Sequence, residues 1–181
     1  TNGVMMSSTQ RPELSVVVLC YRSEDFARTF AEQLIGELEA SAAATWEMVL
    51  VANFDDDDDP TPSIADAVAA DHPNVRVIAR RKEGRMGWDM RSGLDAATGR
   101  YIAVIDGDGQ MPVSDIPIVF DIIRTGQFDL VKTYRARRAD GLWRRVLSAG
   151  YNSLFALLFR PRFSVNDINS KPKIMRREAY E

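Results

Sequence analysis

Two aspartates and a glutamine occupy alternate positions in Asp106-Gly107-Asp108-Gly109-Gln110, directly after the apolar run Tyr101-Ile102-Ala103-Val104-Ile105. Extended backbone turns residues i, i+2 and i+4 to one side. Two carboxylates and an amide oxygen therefore face a common space where the run ends. The intervening glycines let the chain bend toward a ligand without steric penalty. Oxygen ligands so placed suit a hard divalent cation such as Mg²⁺. The same strand edge is where α/β sheets take phosphorylated ligands. A metal-assisted reaction on a nucleotide diphosphate is the chemistry these residues point to.

Two plainer readings compete. A calcium-binding helix–loop–helix pattern needs Gly at the sixth position and Glu at the twelfth, where this chain has Met111 and Pro117; that pattern fails. Any Asp-Gly string can be a solvated turn, but the position straight after a buried strand favours a site. The run Asp55 to Asp59 is different. Five consecutive acids repel one another, and with Pro60 and Pro62 following they read as a structural or disordered loop rather than a ligand set.

Basic residues gather in two places. Arg80-Arg81-Lys82-Glu83-Gly84-Arg85 leads into a predicted helix, and a helix start attracts anions. It reads equally as a diphosphate contact or as a surface loop. Arg135, Arg137, Arg138, Arg144 and Arg145 form the second group, and guanidinium groups match phosphate oxygens bidentately. His72, beside Pro73, has no expected catalytic role.

Positioning these groups requires a sheet. Leu14 to Cys20 and Glu47 to Ala52 are continuous apolar runs, the pattern of strands covered on both faces. Val75 to Ala79, Tyr101 to Ile105 and Phe128 to Thr133 read as further strands. Between them, Phe26, Phe30, Leu34, Ile35 and Leu38 recur at helical spacing behind a possible Ser23 cap. Further helices are predicted over Ser63 to Ala70, Met86 to Ala97 and Ser114 to Arg124. Strand alternating with helix argues for a mostly parallel central sheet with helices on both faces. Leu142, Trp143, Val146, Leu147, Tyr151, Leu154, Phe155, Leu158 and Phe159 fill one broad helical face flanked by arginines, as in an interfacial membrane helix. A face packed on the core would look the same.

The chain has 181 residues, 45% hydrophobic and 27% charged, enough for one domain. Residues 1–12 are expected to be a disordered or appended terminus, and 13–181 a single catalytic domain continuing past Glu181. A net charge of -3 gives no general pull on nucleic acid, so no nucleic-acid partner is expected. The single cysteine, Cys20, allows no intrachain disulfide and implies a reduced, cytoplasmic setting. No stretch has the length and apolarity of a spanning helix.

Several segments in order carry a resemblance: Ser15 to Tyr21, Arg91 to Gly99, Asp106 to Pro112, Arg144 to Asn152, and Asp167-Ile168-Asn169-Ser170 with Arg176-Arg177-Glu178. The chain resembles the inverting family-2 glycosyltransferases of the GT-A fold, most of all the polyprenyl-phosphate sugar transferases such as the dolichyl-phosphate mannose synthases. The resemblance implies a Rossmann-like three-layer αβα sandwich. It implies a GDP- or UDP-sugar donor, a polyprenyl-phosphate acceptor, Mg²⁺ or Mn²⁺, and peripheral contact with the cytoplasmic face of a membrane. Asp106 would meet both nucleotide and metal, Asp108 would hold the metal catalytically, and Gln110 would add a ligand. Tyr21 would lie at the base and Arg85 at the donor. Where relatives carry an acidic pair after the second strand this chain has Ala52-Asn53, leaving Asn53 to bond the nucleotide. Arg135, Arg144, Ser148 and Lys173 match the acceptor-phosphate positions, and Asp167 the general base, or an orienting group when the acceptor is already an anion.

A hydroxyl acceptor and a nucleotide-binding domain without transfer activity are the alternatives. A nucleotidyltransferase is less favoured, because a glycine-rich basic loop should follow the first strand, and Tyr21-Arg22-Ser23-Glu24 stands there.

Overall fold

A computed structural model describes residues 11–43, 45–134, 150, 153–154, 157–158 and 170–181. The elements are β1 (Leu14–Leu19), α1 (Asp25–Ala40), β2 (Trp46–Val51), α2 (Thr61–Asp71), β3 (Val75–Ile78) and α3 (Met86–Ala96). They continue with β4 (Tyr101–Asp106), α4 (Asp115–Ile123), β5 (Leu130–Lys132), β6 (Lys173–Arg176) and α5 (Arg177–Tyr180). The sheet has six strands in the order β3-β2-β1-β4-β6-β5. β1, β2, β3 and β4 are parallel neighbours, while β6 runs antiparallel to both β4 and β5.

Alternation within each strand divides the core. Val16, Val18, Met48, Leu50, Ala103 and Ile105 face one side and pack with α1, α2 and α4 through Phe30, Leu34, Val68 and Phe120. Val17, Leu19, Val49, Val51, Ile102 and Val104 face the other and meet Leu94 and Ala97. Both faces are covered, which is why these strands read as unbroken apolar runs. α3 lies very close to the sheet: a Cβ on Gly93 would stand 2.4 Å from Val17 Cγ1 and 2.7 Å from Val51 Cγ2.

The structure differs from the sequence expectations in three places. Ser23 does not cap α1; Glu24 is the cap residue at φ 47°, without a side-chain cap bond, and its N–H is taken by Thr61 Oγ1 at 3.0 Å. Phe26 is exposed while Phe30 is buried, and its ring lies against Gly109. Lys173–Arg176, not predicted as a strand, is the antiparallel β6 that separates β4 from β5. Among the described residues no helix is long and apolar enough to cross a membrane.

Candidate active site

The carboxyl ends of the parallel strands open into a cleft of about 530 Å³. This is the edge at which open α/β sheets bind ligands. The end of β1 and the turn after it contribute Leu19, Tyr21 and Ser23, the segment after β2 contributes Asp55, and the start of α3 contributes Arg85, Met86 and Asp89. Lys82 and Gly84 line it from the preceding loop, and Asp106 and Asp108 from the end of β4. In the β1–β4 register Leu19 lies opposite Asp106, so the aspartate motif and Tyr21 leave the sheet side by side.

Local geometry holds the motif. Gly107 N–H donates to Leu19 O at 2.9 Å. Gly109 has φ +69°, and a Cβ there would stand 2.4 Å from Phe26 Cζ, so glycine is required on both counts. Asp108 Oδ1 accepts the Gln110 N–H at 3.0 Å. Asp108 and Gln110 are exposed, and Gln110 is not among the residues lining the cleft.

The opposite wall is a chain of polar contacts. Tyr21 Oη donates to Asp55 Oδ2 at 2.9 Å, and Arg22 to Asp55 Oδ1 at 3.1 Å. The tyrosine hydroxyl is the main reason the Asp55 carboxyl is held below its ordinary range, and the same bond raises the phenol. Lys82 Nζ sits 3.8 Å from the Tyr21 ring centroid and 2.5 Å from Asp89 Oδ2. Arg22 at φ 50° and Glu24 at φ 47° bracket Ser23. Such left-handed backbone at non-glycine residues is uncommon and concentrates at functional sites.

The residues expected at the donor are brought together unevenly. Tyr21, Arg85, Asp106 and Asp108 share the cleft. Asn53 does not line it: it is 1% exposed, donates to Asp89 Oδ1 at 2.9 Å and to Ser92 Oγ at 3.1 Å, and accepts the Arg80 N–H at 3.0 Å. The acidic run is a folded loop. Arg81 ties it down through Asp55 O and Asp57 Oδ2, both at 3.0 Å, and Asp59 Oδ1 accepts the Thr61 N–H at 2.9 Å. Lys173 lies at the start of β6 opposite Val104. Arg135, Arg144, Ser148 and Asp167 lie outside the described residues.

Three groups escaped the sequence reading as individual site residues. Lys82 was visible only as part of a basic loop. Asp89 had no sequence signal, because Lys82 lies in the loop ahead of α3 and the two meet only through the path of that loop. Lys171, 6% exposed, reaches Asp106 Oδ1 at 2.7 Å, and its only sequence signal was its place just after Ser170.

The donor set fits a divalent cation. Asp106 and Asp108 are carboxylates sharing one cleft. Among the described residues no group of three or more His, Cys, Asp or Glu converges. A pair of carboxylates with substrate phosphates completing the shell is how Mg²⁺ is commonly bound.

The three-layer αβα arrangement, with Asp106 and Asp108 at the end of β4 and Tyr21, Lys82 and Arg85 on the same cleft, is the GT-A fold of the solved structures that superpose on it. The chain matches the description "Glycosyl transferase family 2" over residues 15–181 and belongs to that family. It is 30% identical over 139 residues to dodecaprenyl-phosphate galacturonate synthase of Rhizobium johnstonii, covering 75% of this chain and 40% of that protein. It is 27% identical over 122 residues to dolichol-phosphate mannosyltransferase of Saccharomyces cerevisiae, covering 67% and 45%. The chain thus spans less than half the length of these relatives. Among solved structures, glucosyl-3-phosphoglycerate synthase of Mycobacterium tuberculosis with Mn²⁺, UDP-glucose and phosphoglyceric acid superposes with TM-score 0.66 at 20% identity, covering 92% of this chain and 57% of that one. The Pyrobaculum calidifontis mannosyltransferase with GDP-mannose and Mn²⁺ has TM-score 0.51 at 20% identity, covering 77% and 39%.

Proposed function

We propose that this chain is the donor-binding catalytic domain of an inverting glycosyltransferase that moves a sugar from a nucleoside diphosphate to a polyprenyl phosphate. The observation that carries this reading is the cleft itself, where Asp106 and Asp108 face Tyr21, Lys82 and Arg85 at the carboxyl edge of the sheet. The similarity to transferases named for dodecaprenyl phosphate and dolichol phosphate supports the acceptor class.

In the reaction an acceptor phosphate oxygen attacks the anomeric carbon. The bond from that carbon to the donor diphosphate breaks, and the nucleoside diphosphate departs with the electron pair. Tyr21 offers an aromatic face for the base, 41% exposed and backed by the Lys82 ammonium. Arg85, at the N-terminus of α3 and on the cleft, would offer a guanidinium and a helix start to the diphosphate. Asp106 and Asp108 would hold Mg²⁺ or Mn²⁺, which when bound neutralises charge developing on the leaving diphosphate. Arg135, Arg144, Ser148 and Lys173 would receive the acceptor phosphate. Because that phosphate is already an anion, Asp167 would orient groups rather than remove a proton.

An enzyme working at a lipid acceptor would sit at the cytoplasmic face of a membrane. Leu154, Leu157 and Leu158 support such contact, being helical and exposed.

A thermal-shift panel of GDP-, UDP- and dTDP-sugars, with and without Mn²⁺, tests the donor reading. One nucleotide should raise the melting temperature only with metal. No shift with any of them at millimolar concentration sinks it. Asp167→Asn separates the acceptors: near-total loss of turnover means a hydroxyl acceptor, a milder loss a phosphate.

A further inference from the structure

Lys171 places a buried ammonium on the motif that the sheet presents to the cleft. Its Nζ lies 2.7 Å from Asp106 Oδ1 and 3.3 Å from Met86 Sδ. Lys171 is 6% exposed while Asp106 is 34% exposed, so the lysine sits behind the carboxylate and the carboxylate faces the cleft. The segment is anchored by Thr133, just past β5. Ser170 Oγ donates to Thr133 O at 2.5 Å, Thr133 Oγ1 to Lys171 O at 2.9 Å, and Thr133 N–H to Pro172 O at 3.0 Å. This backbone clamp fixes where the lysine stem starts, and the ammonium can only donate. A buried cation is retained when paired, and Asp106 is the anion it has.

An incoming divalent cation needs that same carboxylate. We propose that Lys171 is a positioning residue that couples metal to nucleotide: it shares Asp106 with the cation, so the cation binds weakly alone and tightly only with a nucleoside diphosphate. The inference rests on the reading that Asp106 and Asp108 hold a divalent cation. The two carboxylates together carry a charge of minus two, and Lys171 brings the cluster to minus one before any ligand arrives. A cation then meets less attraction, and a diphosphate meets less repulsion. Removing the ammonium moves the two affinities in opposite directions, whereas simple loss of local structure weakens both.

The test uses the 181-residue chain with Lys171→Met, and Lys171→Gln as a second neutral variant should the first not fold. Mn²⁺ alone is titrated by the paramagnetic resonance of the free ion, and GDP and UDP are titrated by calorimetry in EDTA. A neutral residue should tighten Mn²⁺ by about tenfold and weaken the metal-free nucleotide by a similar factor, the size of one unit of lost charge interaction. Lys171→Arg, which keeps the charge, should stay near wild type in both. Unchanged or weaker Mn²⁺ binding in a folded neutral variant overturns the role of Lys171 and leaves the metal site standing. Absence of Mn²⁺ binding to wild type, even with GDP or UDP present, overturns the metal reading itself and the proposal with it. Equal Mn²⁺ affinity in wild type with and without nucleotide overturns the coupling directly.

Discussion

Asn53 Nδ2 donates to Asp89 Oδ1 at 2.9 Å, and Lys82 Nζ meets the other carboxylate oxygen at 2.5 Å. The asparagine that follows β2 thus holds the buried Asp89 carboxylate of α3 in place. Asn53→Asp should put two carboxylates against each other in a buried site and remove a donor, costing about 2–3 kcal/mol. Adding Asp89→Asn should recover most of that loss. Lys82→Met, which leaves Asp89 buried without its cation, should cost about 3–5 kcal/mol. Urea denaturation of the single and double variants checks all three, and additive losses for Asn53→Asp and Asp89→Asn would show that the two side chains do not interact.

Glu47 stitches four segments together. Its carboxylate accepts Ser15 Oγ at 2.6 Å, Thr98 N–H at 2.6 Å, Thr98 Oγ1 at 2.8 Å and Arg76 at 2.8 Å. Burial pushes this carboxyl up, but those bonds from Ser15, Thr98 and Arg76 outweigh it and hold it below its ordinary value. A folded-state value below the unfolded one gives stability that is present above the unfolded range and lost as pH falls through the folded value. Glu47→Gln should therefore cost about 1–3 kcal/mol at neutral pH. It should also flatten the loss of stability below the usual glutamate range. Melting temperature against pH for wild type and variant reads both effects.

The strands β1, β2 and β4 were legible because burial on both faces writes them as continuous apolar runs. β6 was not, since Lys173-Ile174-Met175-Arg176 becomes a strand through pairing with β4 and β5 rather than through its own composition. The same strand order hides Lys171: only the insertion of β6 beside β4 brings it to Asp106. Asp106 and Asp108 stood out because they follow a buried strand, and Tyr21 and Arg85 were named through the family resemblance; the structure brings all four to one cleft. Asn53 was placed at the nucleotide on position alone, and its hydrogen bonds to Asp89, Ser92 and Arg80 depend on how α3 lies on the sheet. Ser23 was read as a cap from its type, yet Glu24 takes the position because Thr61 bonds its N–H.

Cys20 is fully buried at the end of β1, and burial pushes its thiol up to about 12. The thiolate is the reactive form, so the folded protein should resist iodoacetamide at pH 8 and react at once in denaturant. Rapid labelling of folded protein, followed by mass spectrometry, would show that the region behind Gly107 opens readily.

Gly109 fixes the exit of the aspartate motif through its positive φ and its contact with Phe26. Gly109→Ala should strain the backbone and press on the ring, lowering stability by about 1–3 kcal/mol. Phe26→Leu in the same chain should relieve the steric share and leave the backbone share, because φ is unchanged. A double-mutant cycle by thermal denaturation separates the two, and no rescue at all would assign the whole cost to the backbone.

Tyr21 carries two separable functions in the donor reading, a ring face over Lys82 and a hydroxyl on Asp55. Stacking of a base on an aromatic side chain tolerates loss of the hydroxyl and not loss of the ring. Tyr21→Ala should weaken nucleotide binding by about ten- to hundredfold, the range for one base–aromatic stack. Tyr21→Phe should bind nearly as wild type while freeing Asp55 toward its ordinary carboxyl range, since the tyrosine hydroxyl is what chiefly depresses it. Calorimetric titration with the nucleotide found in the thermal-shift panel decides between the roles. Equal losses in both variants would move recognition from the ring to the Tyr21–Asp55 hydrogen bond.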